Sequence, residues 1–368
     1  MKRHATLGQS PPPALTASVD GATVRCFFPT TSRTLDAVPL YRSSRWLTLA
    51  ALAVMGCGGP FPQSTLAPAS GYAREIDGLF GTVFKLMMLV FVVVEVLLLV
   101  TIIRHRHRPG AAEPRHTHGH TVLEIAWTIA PALILVFVAV PTIQTIFKTQ
   151  APAPADALKI EVVAHQWWWE YRYPGGVVTA NELHVPLGRT VDLEMTSADV
   201  IHSFWAPRLF GKRDVIPGHT NHIVFAADSI GEYMGQCVEF CGASHANMRL
   251  RVLVDSDTAF AAWTAAQAAT PRAPAKNSVE QRGQDAFRRY GCIGCHTVTG
   301  VSTGIIGPNL THVGSRTTIA GGMLPSAAAM IEKWIENPQA VKPGALMPRM
   351  GVKPEDLTAL VAYLQSLK

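Results

Sequence analysis

The sequence predicts a multidomain membrane protein in three parts: a two-helix transmembrane hairpin, a β-sandwich and an all-α domain. Three observations predict it. Two apolar runs, residues 79–103 and 122–147, are each long enough to cross a hydrocarbon core of about 30 Å as a helix. Residues 158–254 break into short, β-branched, roughly alternating segments punctuated by Gly, Pro and Asn, the pattern of half-buried strands. From residue 278 onward the apolar spacing becomes helical. Hydrophobic residues make up 48% of the 368-residue chain and mean hydropathy is +0.19, a high value that comes from concentrated rather than evenly spread apolar residues.

The formal charge of +6 divides by segment. Residues 1–150 hold 13 Lys+Arg against 7 Asp+Glu, residues 151–268 hold 8 against 13, and residues 277–368 hold 9 against 6. The basic residues flank hydrophobic segments and the middle module is acidic, which is not the cationic stripe of a nucleic-acid binder. Nucleic acid is therefore not an expected partner. The acidic middle and the basic C-terminal module should attract each other modestly.

Residues 1–56 form an N-terminal extension and signal. The first 41 are rich in Pro, Ser and Thr without apolar periodicity, and "RSSRWLTLAALAVMGCGG" then has the basic, apolar and small-residue layout of a secretory signal. It resembles a bacterial lipoprotein signal, in which Cys57 would be acylated. Residues 57–150 carry that lipid site and the two spans. The loop between them, "RHRHRPGAAEPRHTHGH", contains Arg104, Arg106, Arg108 and Arg115, which places it in the cytoplasm and everything after Lys148 outside. Its histidines, at 105, 107, 116, 118 and 120, read as a solvated basic loop rather than a metal site.

Residues 151–268 form the sandwich module, with "LKIEVVAH", "TVDLEMTS", "NHIVFAA" and "MRLRVLV" as strands of an antiparallel fold. Residues 269–276 lie in the Ala- and Pro-rich stretch "AAQAATPRAPAKN", a semi-stiff linker. Residues 277–368 form the helical module: "SVEQRGQDAFRRY" with Ser278 as N-cap, "AAAMIEKWIENP", and "KPEDLTALVAYLQSL".

Six cysteines partition into Cys26, Cys57, Cys237 with Cys241, and Cys292 with Cys295. Outside the cell, a close pair first suggests a disulfide. The second pair is different, because "CIGCH" is the C-x-x-C-H attachment signature of c-type haem, with thioethers at Cys292 and Cys295 and His296 as an axial ligand. Residues 277–368, with "GPNL" and "KPGALMP" after the motif, resemble a small class I cytochrome c. That resemblance implies Met347, in its Met-Pro pair, as the second axial ligand, with Met350 as the rival. His/Met ligation raises the reduction potential.

"GQCVEFCGASHANMRL" places Cys237, Cys241, His245 and Met248 in a C-x3-C-x3-H-x2-M pattern. A disulfide would leave His245 and Met248 unexplained, and zinc rarely takes a thioether. Thiolate, imidazole and thioether together suit copper. A second cysteine suggests two thiolates bridging two metals, and "DVIHSFWAPRL" offers His202 on a neighbouring loop.

These residues resemble the binuclear copper (CuA) domain of cytochrome c oxidase subunit II, a cupredoxin Greek-key sandwich. Two preceding spans, "HQWWWEYRYP", "HSFWAP" and "GQCVEFCGASHANM" occur in the family's order, and the likeness covers residues 72–260. The appended cytochrome resembles the fused subunit II of caa-type oxidases. The resemblance implies that Cys237 and Cys241 bridge both coppers, that His202 and Met248 complete one, and that His245 with the Glu239 carbonyl completes the other. The Glu239 carboxylate would face magnesium at the interface with the catalytic subunit. Trp167 would be the exposed residue where electrons enter, and Glu124 would stand at a proton-channel mouth.

The implied function is electron input to a bacterial respiratory haem-copper oxidase, from a cytochrome c donor through haem c and binuclear copper to a catalytic subunit that reduces oxygen. The chain would then be a multi-pass protein of the plasma membrane with both cofactor domains on its outer face. The rival readings are the copper-bearing small subunit of a nitric oxide reductase and, from another class, a copper delivery protein. "CIGCH" argues against the latter, and Cys237 with Cys241 against a quinol-oxidising relative.

Overall fold

The computed structural model describes residues 61–106, 108–110 and 118–368. The expected signal, Cys57, His107, Arg115 and His116 lie outside the described residues.

Two helices, α1 (Gly71–His105) and α2 (Thr121–Thr149), are long and apolar enough to cross a membrane. Helix α1 begins eight residues before the apolar run. Its first turns carry Arg74, Glu75 and Asp77, and two of them find partners outside the hydrocarbon: Arg74 pairs with Asp228 of the sandwich, and Glu75 with Lys148 at 2.9 Å on α2. Ser70 caps α1, accepting from the Ala73 N–H at 3.0 Å while its hydroxyl donates to the Leu209 carbonyl. Two backbone bonds, Ala69 N–H to Arg208 O at 2.7 Å and Asp228 N–H to Ala69 O at 2.9 Å, complete the joint. The anchor and the sandwich are therefore fastened directly.

The sandwich has strands β1 (Leu158–His165), β2 (Trp168–Arg172), β3 (Val178–Ala180), β4 (Glu182–Pro186), β5 (Val191–Ser197), β6 (His202–Trp205), β7 (Arg213–Val215), β8 (Asn221–Phe225), β9 (Gly231–Cys237) and β10 (Arg249–Asp255). They form two five-stranded sheets, ordered β3-β2-β1-β5-β8 and β4-β10-β9-β6-β7. The expectation of an antiparallel fold is corrected at two places: β1 pairs with β5 in parallel, and β4 with β10. Both pairs join strands distant in sequence, where the chain has crossed between sheets and returns in the same direction. Alternation places Ile160, Val162 and Ala164 of β1 inside, facing Trp169, Phe204 and Leu250 in one continuous core. Each of the larger ones, such as Ile160, Val162, Phe204 and Leu250, is worth about 1.5–3 kcal/mol when fully buried.

Helix α3 (Asp257–Ala268) follows β10 and lays Trp263 on His184, ring centroids 4.2 Å apart. The C-terminal domain has α4 (Val279–Arg289), α5 (Ala328–Glu336) and α6 (Pro354–Ser366). Ser278 caps α4 by accepting from Gln281 N–H at 3.1 Å. Gly283 lets α4 and α6 cross closely, since a Cβ there would lie 2.0 Å from the Ala359 carbonyl oxygen.

Candidate functional site

Strand β9 ends at Cys237, and the loop to β10 carries Cys241, a 3-10 turn at His245–Asn247, and Met248. A bond from Cys237 N–H to Met248 O, 2.9 Å, closes this loop on itself. Antiparallel pairing of β6 with β9, with Phe204 opposite Cys237, brings His202 to the same place. His202 thus opens a strand rather than sitting in a loop, because β6 begins at that residue.

The Cys237 and Cys241 sulfurs are 3.8 Å apart and both thiols are free, so the pair is not a disulfide. His202 Nδ1 lies 3.9 Å from Cys237 Sγ, His245 Nδ1 3.5 Å from Cys241 Sγ, and Met248 Sδ 4.0 Å from Cys241 Sγ. The Glu239 carbonyl oxygen is 3.3 Å from Cys237 Sγ. His202, Cys237, Cys241 and Met248 are buried. Two sulfurs, two imidazoles, a thioether and a carbonyl converge at one largely buried place, a soft donor set that fits copper. The hydrogen bond between the two thiols, aided by His202, lowers the Cys237 pKa and raises that of its partner Cys241.

Asp199 was not singled out by sequence. Its Oδ1 holds His202 Nε2 at 2.8 Å, turning Nδ1 toward the sulfurs, and its Oδ2 accepts from Gln166 N–H at 2.6 Å. Burial works against the Asp199 carboxylate, but bonds from His202, Val200 and Gln166 win and lower its pKa.

The second site lies in the helical domain. Cys292 begins a 3-10 turn, and His296 N–H bonds to Cys292 O at 3.1 Å, so the C-x-x-C-H segment folds as one turn on the rim of an apolar cavity. His296 Nδ1 meets the Pro308 carbonyl at 2.8 Å, which reserves Nε2 for another partner, and burial lowers the pKa of the ring. A Cβ on Gly307 would come within 2.6 Å of the ring, so glycine is required there. Met347 and Met350 both line the cavity with Leu310 and Trp334, an apolar lining that fits a haem.

The opposite wall of this cavity belongs to the sandwich: Gln166, Trp167 and Trp168. Trp167 is 7% exposed, correcting the expectation of an exposed residue, because the helical domain closes over it. Its indole N–H donates to the Cys241 carbonyl at 2.9 Å, and Gln166 Nε2 donates to the same oxygen at 2.7 Å. Glu239 is half-buried beside Phe240, which is 78% exposed. Glu124 is exposed in the first turn of α2, far along the chain from both cavities, and His120 caps that helix by accepting from Leu123 N–H at 3.4 Å.

Fold and sites together define a protein with two membrane-length helices, a soft-donor ligand set in a Greek-key sandwich and a haem-attachment turn in a helical domain. The family "Cytochrome C oxidase subunit II" matches with its transmembrane domain over residues 62–145 and its periplasmic domain over 176–255, and "Cytochrome c" matches 280–368. Cytochrome c oxidase subunit 2 of Alkalihalophilus pseudofirmus is 37% identical over 337 residues, covering 89% of this chain and 97% of that protein. The subunit 2 of Bacillus subtilis is 32% identical over 345 residues, covering 88% and 96%. The periplasmic domain of subunit II of cytochrome oxidase from Bradyrhizobium japonicum, a solved structure, is 34% identical, covers 31% of this chain and 95% of that one, and has a TM-score of 0.30. This chain belongs to the cytochrome c oxidase subunit II family and carries a C-terminal cytochrome c domain.

Proposed function

We propose that this chain is the electron-input subunit of a bacterial respiratory haem-copper oxidase, taking electrons from a cytochrome c-type donor and delivering them to a catalytic subunit that reduces oxygen to water. Cys292, Cys295, His296 and Met347 would hold haem c, and His202, Cys237, Glu239, Cys241, His245 and Met248 would hold two coppers. Bound there, these groups supply one-electron carriers. The observation that carries the reading is Trp167: its ring walls the helical-domain cavity while its N–H bonds to the Cys241 carbonyl.

The residues of the chain keep both sites rigid and dry. Asp199 orients His202, the Pro308 carbonyl orients His296, and the domain contact excludes water from Trp167. A buried, preorganised ligand set changes little when its charge changes by one, which is what fast electron exchange requires. The half-buried Glu239 beside exposed Phe240 supports a subunit contact there, with the carboxylate facing magnesium. Two membrane-length helices joined by an arginine-bearing loop support a multi-pass chain with both cofactor domains on the outer face, and the position of Glu124 in the first turn of α2 supports a role for it at a proton-channel mouth. Purifying the complex that contains this chain and measuring oxygen against nitric oxide uptake tests the assignment. Oxygen uptake driven by a reduced cytochrome c supports it, and turnover with nitric oxide alone overturns it.

A further inference from the structure

The helical domain does not hover on its linker; it is packed into the copper-ligand loop. Three glycines with positive φ make this approach possible. A Cβ on Gly344 would lie 2.8 Å from the Trp167 ring, one on Gly321 2.8 Å from the Trp167 carbonyl oxygen, and one on Gly322 3.2 Å from the Arg249 backbone. The backbone of the ligand loop joins in: Arg249 N–H donates to Gly321 O at 3.0 Å, and Ser244 Oγ, beside His245, donates to Pro343 O at 2.6 Å.

Two charged side chains are buried at this contact, and neither forms an ion pair across it. Glu182 of β4, 2% exposed, accepts with its Oε1 from the backbone N–H groups of Thr317 and Thr318, at 3.0 and 2.7 Å, and from both hydroxyls at 2.7 Å. Lys342, 3% exposed, donates from Nζ to the Trp167 carbonyl at 2.5 Å and to the Ala320 carbonyl at 3.1 Å. Among the described residues no salt bridge joins the two domains. Hydrogen bonds rather than ion pairs join the domains at this contact. Burying a charge is costly unless it is hydrogen-bonded, and each of these finds hydrogen-bond partners in the other domain: Glu182 in Thr317 and Thr318, Lys342 in the Trp167 carbonyl.

We infer that Glu182 and Lys342 are positioning residues that latch the cytochrome domain in one seat over Trp167, so that electron delivery to the copper cluster is an internal, first-order event and a free donor has no access to Trp167. The inference rests on the proposed function for its electron-transfer consequence, but the latch itself is a statement about structure. Glu182 orders the Thr317–Thr318 backbone on one flank, and Lys342 clamps the peptide of Trp167 on the other. A domain held at both flanks cannot swing out to collect electrons and swing back.

The test uses the purified complex with Glu182→Ala, Lys342→Met and, as an independent wedge, Gly344→Leu. Hydrogen exchange at the Thr317 and Thr318 amides reads the latch without reference to any cofactor. Photoreduction of haem c followed by optical detection of copper reduction reads its consequence. In the parent, the amides should be protected and the internal rate independent of solvent viscosity. In the Glu182→Ala/Lys342→Met double variant and in Gly344→Leu, protection should fall at least tenfold and the rate should drop and become viscosity-dependent, with both cofactor spectra unchanged. Parental protection and a parental, viscosity-independent rate in all variants would overturn the latch. Absence of haem c or copper spectra from the parent complex would instead overturn the proposed function, and the exchange data would still decide the latch.

Discussion

The indole N–H of Trp167 donates to the carbonyl oxygen of Cys241 at 2.9 Å, so the residue that walls one cavity is bonded to the backbone of the residue that builds the other. Gln166 reaches the same oxygen at 2.7 Å. Trp167→Phe keeps the ring against Gly344 but removes one bond, worth about 1 kcal/mol. It should slow copper reduction only a few-fold, and Trp167→Ala should slow it by about tenfold or more. Stopped-flow reduction of the copper centre, with both cofactor spectra as controls, measures this; parental rates in both variants would remove Trp167 from the path.

Asp199 should control how well copper is held. With its carboxylate removed, His202 loses the partner that directs Nδ1 toward Cys237. Asp199→Ala should weaken copper binding by about 10–100-fold, a loss typical for the partner of a ligating imidazole. Competition with a chelator of known affinity reads the change, and haem content should stay constant.

Cys241→Ser tests for a two-metal cluster. If both sulfurs bridge, losing one should abolish the mixed-valence absorption and the multi-line electron paramagnetic signal, while the haem spectrum stays. An unchanged copper signal would rule the bridge out.

Seating of the cytochrome domain should depend on pH through Lys342. Burial pulls this ammonium down from 10.5 to about 7, the facing groups being the Trp167 and Ala320 carbonyls, with Cys241 the titratable neighbour whose charge it feels. Once unseated, Lys342 regains its ordinary value and takes up a proton between pH 7 and 10.5. The seated form therefore binds fewer protons in that window and gains stability as pH rises, by at most about tenfold per pH unit, with no further change below pH 7. Protection of the Thr317–Thr318 amides, corrected for intrinsic exchange, should follow this slope in the parent and lose it in Lys342→Met.

Local patterns made much of this legible. Residues 158–165 alternate and form strand β1 over the same residues. Cys237, Cys241, His245 and Met248 lie on one loop, where spacing alone brings them together. What escaped is non-local. The parallel pairing of β1 with β5 depends on where the chain returns after visiting the other sheet. The start of α1 at Gly71 was hidden because Arg74, Glu75 and Asp77 look like the end of a span until the partners of Arg74 and Glu75 are known. Lys342 in "VKPG" reads as an ordinary surface lysine, and only the carbonyl of a residue 175 positions away shows otherwise.

The 35 residues of α1 extend about 50 Å at 1.5 Å each, some 20 Å more than a hydrocarbon core of about 30 Å. The part of that surplus before the apolar run, eight residues or about 12 Å, is pinned to the sandwich by Ser70, Ala69 and Arg74 and to α2 by Glu75. The sandwich stands on a stilt rather than hanging from a tether, so its height and heading are dictated from within the bilayer. Whatever packs against α1 would therefore steer the Cys237 end of the sandwich without touching it, a few degrees of tilt in the helix becoming ångströms of travel at Cys237.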